Sequence, residues 1–339
     1  MSITQELRQT AAAMVAPGRG ILAADESVPT ITSRFRALGI DSTPDSRRRY
    51  RELLFTAPDI DAHVSGVIMH DETFQQADSS GCPFPEVLAA RGILPGIKVD
   101  TGAKALAFSD DERVTEGLDG LRERIAAYRT LGARFAKWRA VFTIGFQRPS
   151  ANCIRANAHA LARYAAICQE GGVVPIVEPE VLADGDHGLG RCDEVTRHVL
   201  DAVFSELRLA RVDLAGMVLK PSMVTPGRTC ARAAEVEEVA RATIACLADT
   251  VPASVPGIAF LSGGQAPDVA TAHLDAMARL GPHPWQLSFS FGRALQDEAL
   301  RTWAGDEASV AAAQAVLLRR VQLVGAAALG RYEPASEAA

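Results

Sequence analysis

Short apolar runs that end on a polar or charged residue recur along the whole chain. Eight stand out: GILAAD (20–25), VSGVIMHDE (64–72), GIKVD (96–100), FAKWR (135–139), VVPIVEPE (173–180), LAGMVLK (214–220), GIAFLSGG (257–264) and LSFSFGR (287–293). Each is short, often β-branched and bounded by Gly or Pro, the signature of a strand buried on both faces of a parallel sheet. The segments between them carry apolar residues at three- and four-residue spacing. Residues 155–170 predict a helix that stops at Gly171-Gly172, and residues 193–209 predict one with Asp193 as its N-cap. Segments 229–249, 266–280 and 306–324 read the same way, as does the stretch from Met1 to Val15. No low-complexity linker interrupts the alternation, and only the Ala-rich stretch after Tyr332 reads as loose.

Strands alternating with helices build either a doubly wound sheet or a closed barrel. The polar residues decide for the barrel, because they fall at the C-terminal end of nearly every run, where a (β/α)8 barrel assembles its site from several strands at once. A dinucleotide-binding sheet would place a Gly-rich fingerprint after its first strand, and GILAADES holds none. The expected architecture is therefore a single α/β (β/α)8 TIM barrel over residues 1–339, with an N-terminal helix and a short disordered C-terminal tail.

Side chains alternate across a strand with period two, so same-face partners follow from the sequence. Lys137 and Arg139 share a face, as do Glu178 and Glu180; Lys220 ends its run after Gly216 and Val218 on its own face. Asp25 ends the first run and Lys98 lies near the end of the third. If these faces point inward, three lysines, an arginine and three carboxylates converge on one small volume. An internal salt-bridge layer would explain any one of them; the whole set at strand ends points to chemistry. Imine formation needs such a set. A lysine attacks only when neutral, burial near another cation lowers its pKa, and carboxylates shuttle protons as the carbinolamine loses water. Ser262-Gly263-Gly264 after the seventh run, with Ser290, Gly292 and Arg293 at the end of the eighth, fit a phosphate cradle of glycine N–H groups and a guanidinium.

The sequence at this point resembles the class I fructose-bisphosphate aldolases. The matching strings are GILAADES (20–27), GIKVD (96–100), FAKWR (135–139), ARYAAICQ (162–169), IVEPE (176–180), DGDH (184–187), LKP (219–221) with MVTPG (223–227), FLSGGQ (260–265) and FGRALQ (291–296). They run in the family's order across nearly the whole chain. The resemblance implies that Lys220 is the Schiff-base lysine, Glu178 the acid of the dehydration step and Lys137 the second lysine. It implies that Asp25 acts at the substrate hydroxyls and that Glu180 orders these charges. Lys98, Arg139, Ser27 and Arg34 are implied as substrate contacts, with Ser262, Gly263, Gly264, Ser290, Gly292 and Arg293 at the phosphate. Three positions depart from the animal enzymes: Ser222 where Asn is usual, Phe291 where Tyr is usual and Ser33 where Lys is usual. In those relatives a mobile tail ends in a tyrosine that assists proton exchange at the enamine. This sequence has no tyrosine beyond Tyr332, so that task is expected to fall to active-site groups, Glu178 first. The family is commonly tetrameric, which implies a homo-oligomer.

Composition narrows this picture. The 339 residues carry 35 Lys and Arg against 41 Asp and Glu, a net charge of −6. That disfavours nucleic acid as a partner, and Arg47-Arg48-Arg49 reads as a solvated helix face. Positive charge for an anionic sugar phosphate must therefore be concentrated locally. Cys82, Cys153, Cys168, Cys192, Cys230 and Cys246 are scattered singly, with no C-x-x-C pair, which suits reduced thiols in a cytoplasm. No apolar run approaches the roughly 20 residues of a membrane span, and the N-terminus lacks a signal core. The seven histidines show no H-x-x-x-H or H-E-x-x-H spacing, and Asp184, Asp186 and His187 fit a polar loop better than a ligand set, so neither metal nor cofactor is expected. Two rival readings remain open at this level: a relative acting on another ketose phosphate, by a transaldolase-like transfer or on fructose 1-phosphate, and a catalytically silent scaffold.

Overall fold

A computed structural model describes residues 2–337. Each apolar run marks one strand: β1 (Gly20–Ala24), β2 (Val64–Met69), β3 (Leu94–Lys98), β4 (Phe135–Phe142), β5 (Val174–Val181), β6 (Val218–Leu219), β7 (Gly257–Phe260) and β8 (Gln286–Phe291). Among the described residues they pair in parallel, in chain order, and β8 closes on β1 through Ile21↔Ser290 and Leu22↔Phe291. The result is a (β/α)8 barrel, the architecture expected from the alternation.

Period two sorts the apolar residues into two clusters. Ile21, Ala23, Ile68, Phe135, Ile176, Val218 and Ala259 fill the barrel interior, while Leu22, Val67, Ala136, Val177, Leu219 and Ile258 pack outward against the helices. The interior cluster also contains Leu7, Ala11 and Met14 of the helix Ile3–Met14. That helix plugs the N-terminal end of the barrel, and Ser65 Oγ donates to the Met14 carbonyl at 2.5 Å. Gly66 makes room for the inward ring of Phe135, which a Cβ there would meet at 2.9 Å. Apolar filling at this end leaves the inward polar residues to the opposite, C-terminal end.

Several elements differ from the sequence reading. β6 is only two residues long, because Leu214–Gly216 turns as a 3-10 helix; Gly216 therefore shares no strand with Lys220. Lys220 sits just past the strand, where its N–H donates to the Val177 carbonyl at 2.8 Å. The helix predicted from residue 193 begins at Leu189, so Asp193 is no cap and instead pairs with Arg197 at 2.9 Å. The segment 229–249 is helical only from Val236, where Glu235 and Glu238 form a capping box. An antiparallel hairpin, Gly102–Ala105 with Arg113–Glu116, was not foreseen, because its residues show no apolar alternation.

The helix within Glu307–Ala327 has the length and mean composition of a membrane span, although Arg319 and Arg320 interrupt its apolar run. Here it packs on the helices Arg293–Trp303 and Pro267–Arg279, burying Leu317, Val321 and Val324. The expected loose tail is instead a 3-10 turn, Pro334–Glu337. Glu337 pairs with Arg320 at 2.8 Å and accepts from the Tyr332 hydroxyl at 2.7 Å. Its last two residues, 338 and 339, lie outside the described ones.

Candidate active site

A cavity of about 760 Å³ opens at the C-terminal ends of the strands, and all fifteen site residues singled out from the sequence line it. Strand register brings the chemistry together. Arg139 on β4 stands beside Glu178 on β5, and Lys98 on β3 beside Lys137 on β4. Lys137 Nζ lies 2.8 Å from Asp25 Oδ2 and 3.4 Å from Glu178 Oε2, while Glu178 Oε1 lies 3.3 Å from Lys220 Nζ. One buried carboxylate thus bridges two buried lysines.

The field in this cluster follows from burial and pairing. Burial alone would drive Lys137 toward its neutral form, but Asp25 and Glu178 more than reverse this and hold its ammonium well above the ordinary lysine range. Burial likewise pushes Asp25 up, yet Lys137 and then Lys220 pull it well below the ordinary carboxylate range. Lys137 and Asp25 are therefore a charged pair at neutral pH. Arg139 is kept charged in the same way, its burial outweighed by Glu180. Burial and the neighbouring Lys98 hold His70 below the usual imidazole value. A sealed salt-bridge layer would leave no space above these charges. Here the cavity opens onto them, and Glu178 Oε2 and Ser290 Oγ have no hydrogen-bond partner among the described residues.

The loops after β7 and β8 form the other side. Gly263 and Gly264 follow each other at φ +60° and +77°, a backbone that only glycine adopts at low cost, and both line the cavity. Gly292 is the N-cap of the helix Arg293–Trp303, so a helix N-terminus also faces the space. Among the described residues no carboxylate stands within ion-pair distance of Arg293. Ser27 caps the helix Val28–Arg36, its hydroxyl 3.0 Å from that of Thr30. Arg34 lines the cavity but is bound by Glu26 and, at 2.8 Å, by Asp297, which makes it part of the wall.

Glu26, His70, Asp100 and Arg228 also line the cavity and escaped the sequence reading, and Asp184, read there as part of a polar loop, lines it too. For Asp100 a signal existed: it lies two residues beyond Lys98, and it binds Lys98 Nζ at 2.6 Å. For Arg228 none did, since a loop carries it there. The departures at Ser222 and Phe291 have structural accounts. Ser222 Oγ accepts from the Val181 N–H at 3.0 Å, tying the ends of β5 and β6, and Phe291 is buried beside Phe289. Nothing in the structure explains Ser33. The 184–187 string is zipped to the loop after β6, Gly227 N–H donating to the His187 carbonyl at 2.8 Å.

Comparison with known proteins places this site in a family. A sequence model described as fructose-bisphosphate aldolase class-I matches residues 6–339. A protein of Xanthomonas campestris named probable fructose-bisphosphate aldolase class 1 is 55% identical over 334 residues, 98% of this chain and 100% of that protein. Fructose-bisphosphate aldolase C of Rattus norvegicus is 50% identical over 331 residues, 97% of this chain and 91% of its own. A solved structure of Plasmodium falciparum fructose-bisphosphate aldolase, in a ternary complex with TRAP and a small-molecule inhibitor, superposes with a TM-score of 0.97. It is 45% identical and covers 98% of this chain and 96% of that one. With the buried lysine–carboxylate cluster at the mouth of its barrel, this chain belongs to the class-I fructose-bisphosphate aldolase family.

Proposed function

We propose that this aldolase cleaves fructose 1,6-bisphosphate reversibly through an imine on Lys220. The observation that carries the assignment is the single carboxylate, Glu178, within 3.4 Å of both buried lysines while the cavity opens above it. Lys220 Nζ, having given a proton to Glu178, attacks the C2 carbonyl carbon, and a second Nζ proton passes to the carbonyl oxygen to give the carbinolamine. Glu178 returns the proton to the carbinolamine hydroxyl, which leaves as water, and the iminium forms. Asp25, ionised at neutral pH, takes the C4 hydroxyl proton. The C3–C4 bond then breaks, its electron pair moves to the iminium, and glyceraldehyde 3-phosphate departs. Protonation of the enamine carbon and hydrolysis of the imine release dihydroxyacetone phosphate. Lys137 stays charged throughout and keeps Asp25 ionised beside it. Glu180 orders Arg139, and Lys98, Arg139 and Ser27 contact the substrate. One phosphate lies against Ser262, Gly263, Gly264, Ser290, Gly292 and Arg293.

Borohydride added with substrate tests the nucleophile. The expected result is irreversible inactivation and a triose-phosphate adduct on Lys220 by peptide mass mapping. An adduct on another lysine would falsify the assignment. Dialysis against EDTA should leave the rate unchanged. A homotetramer is the assembly we infer from the resemblance, which light scattering checks directly. Six free thiols fit a reducing, cytoplasmic setting.

A further inference from the structure

The cavity must receive a phosphate dianion, yet most of its cations are already matched. Lys98 is held by Asp100, Lys137 by Asp25 and Glu178, Lys220 by Glu178, Arg139 by Glu180, and Arg34 by Glu26 and Asp297. Arg293 alone among them has no carboxylate within ion-pair distance among the described residues. One guanidinium leaves half of a dianion uncompensated.

Arg228 is the remaining cation at the mouth. Its backbone is firmly anchored: its N–H donates to the Ala183 carbonyl at 2.8 Å, between the Gly227 and Thr229 N–H groups bound to His187 and Gly185. Its guanidinium is not. Nη2 rests on the Gly263 carbonyl at 3.0 Å, and Nη1 stands 3.5 Å from Asp184 in a pair with both side chains more than half exposed. An exposed pair at that distance binds weakly and is readily exchanged for a better anion. Arg228 and Arg293 also reach the same point from different loops. A Cβ placed on Gly264 would overlap Arg228 Nη2 and stand 3.1 Å from Arg293 Nη2. The two guanidinium tips therefore converge at Gly264 from the loops after β6 and β8.

We propose that Arg228 is a second phosphate-binding arginine, converging with Arg293 at Gly264, and that Asp184 holds it in the empty site and yields it to the incoming phosphate. The proposal rests on the reading that a phosphate lies on the β7 and β8 loops. Two guanidinium groups would match the dianion and set the preference for a doubly charged phosphate over a neutral hydroxyl at this end of the sugar.

The test uses the full-length enzyme with fructose 1,6-bisphosphate as substrate and inorganic phosphate as competing inhibitor. Arg228→Met should raise both the KM and the phosphate inhibition constant by about tenfold or more, as loss of a charge-assisted contact does. The kcat and the borohydride adduct on Lys220 should stay close to those of the parent enzyme. Arg228→Lys should recover part of the loss, and Asp184→Asn should tighten phosphate by about two- to threefold by freeing the guanidinium. If Arg293→Ala weakens phosphate but Arg228→Met leaves it within twofold, the cradle stands and this proposal falls. A fall in kcat alone would make Arg228 structural and also overturn it. Should neither variant move the phosphate constant, the location of the phosphate fails, and the proposal with it. If Arg228→Met does not fold, Arg228→Lys and Asp184→Asn decide, and unchanged phosphate affinity in both counts against it.

Discussion

Lys137 shows how a buried charge is kept by its neighbours. Replacing it with Met leaves Asp25 buried without its ion-pair partner and Glu178 with Lys220 alone, and we expect a loss of about 3–5 kcal/mol in a denaturant titration. Lys137→Met combined with Asp25→Leu should regain part of that loss, since the second change removes one orphaned carboxylate. The pH dependence follows from the directions of the shifts. Asp25, held low, contributes stability above the unfolded carboxylate pKa of about 3.9, and this is lost as pH falls through its folded value. Lys137, held high, contributes fully below the unfolded lysine pKa of about 10.4, and this is lost as pH rises through its folded value. The pair should therefore stabilise the enzyme evenly between about pH 4 and pH 10. At the phosphate end, Arg293→Ala should weaken binding of phosphorylated substrate by about 2–3 kcal/mol and cost unphosphorylated fructose little. Equal losses for both would make Arg293 structural. Lys137 and Glu178 were legible from period two, each with a same-face partner on its strand, whereas Asp25 and Arg293 were legible only as the ends of apolar runs. Arg34 was legible as a cation but not as one bound to Asp297, 263 positions away.

Two elements support the site through residues that do not line it. The helix Ile3–Met14 closes the far end of the barrel, with Met14 fully buried among the interior residues. Met14→Ala should lower stability by about 2–5 kcal/mol through the cavity it leaves, with kcat within twofold of the parent. A matching fall in kcat would show that the plug reaches the chemistry. The second element is the turn from β7 into the helix Pro267–Arg279, where His273 Nδ1 sits 2.6 Å from Gln265 Oε1. Burial holds His273 down at about 4, against about 6.5 when unfolded. Its contribution is present above about pH 6.5 and lost as pH falls toward 4, because the unfolded chain takes up the proton first. Stability should fall by about 1–3 kcal/mol over that interval, and His273→Gln should flatten the slope in denaturant titrations at pH 7 and pH 5. The helix itself was legible from its spacing. The His273–Gln265 contact was not, since it depends on how the loop after β7 folds back.

For the whole molecule, the net charge of −6 means that an anionic substrate is drawn by the arginines at the mouth and not by the surface at large. The C-terminal turn is a second global feature. Glu337 satisfies Arg320, which is only 7% exposed, so deleting residues 335–339 should cost about 1–3 kcal/mol of stability. Cleavage rate and proton exchange of dihydroxyacetone phosphate should both persist in that variant. A selective loss of exchange would mean that the chain end takes part in enamine protonation.

What the sequence determined by itself was everything carried by local period and local chemistry. Apolar runs ending in polar or charged residues specified eight strands, period two put Lys137, Arg139, Glu178 and Glu180 on inward faces, and the glycines marked where backbone could turn toward an anion. Strand geometry converts sequence spacing into direction almost without reference to the rest of the chain, so these features needed no fold to be seen. The tertiary structure alone decided which charges neutralise one another and which are left to bind substrate. Glu178 faces two lysines because β5 lies between β4 and β6, and Arg228 meets Arg293 because two loops 65 positions apart in sequence end on one glycine pair. Ion pairing depends on distances of a few ångströms between side chains from different strands, and no local pattern encodes such a distance.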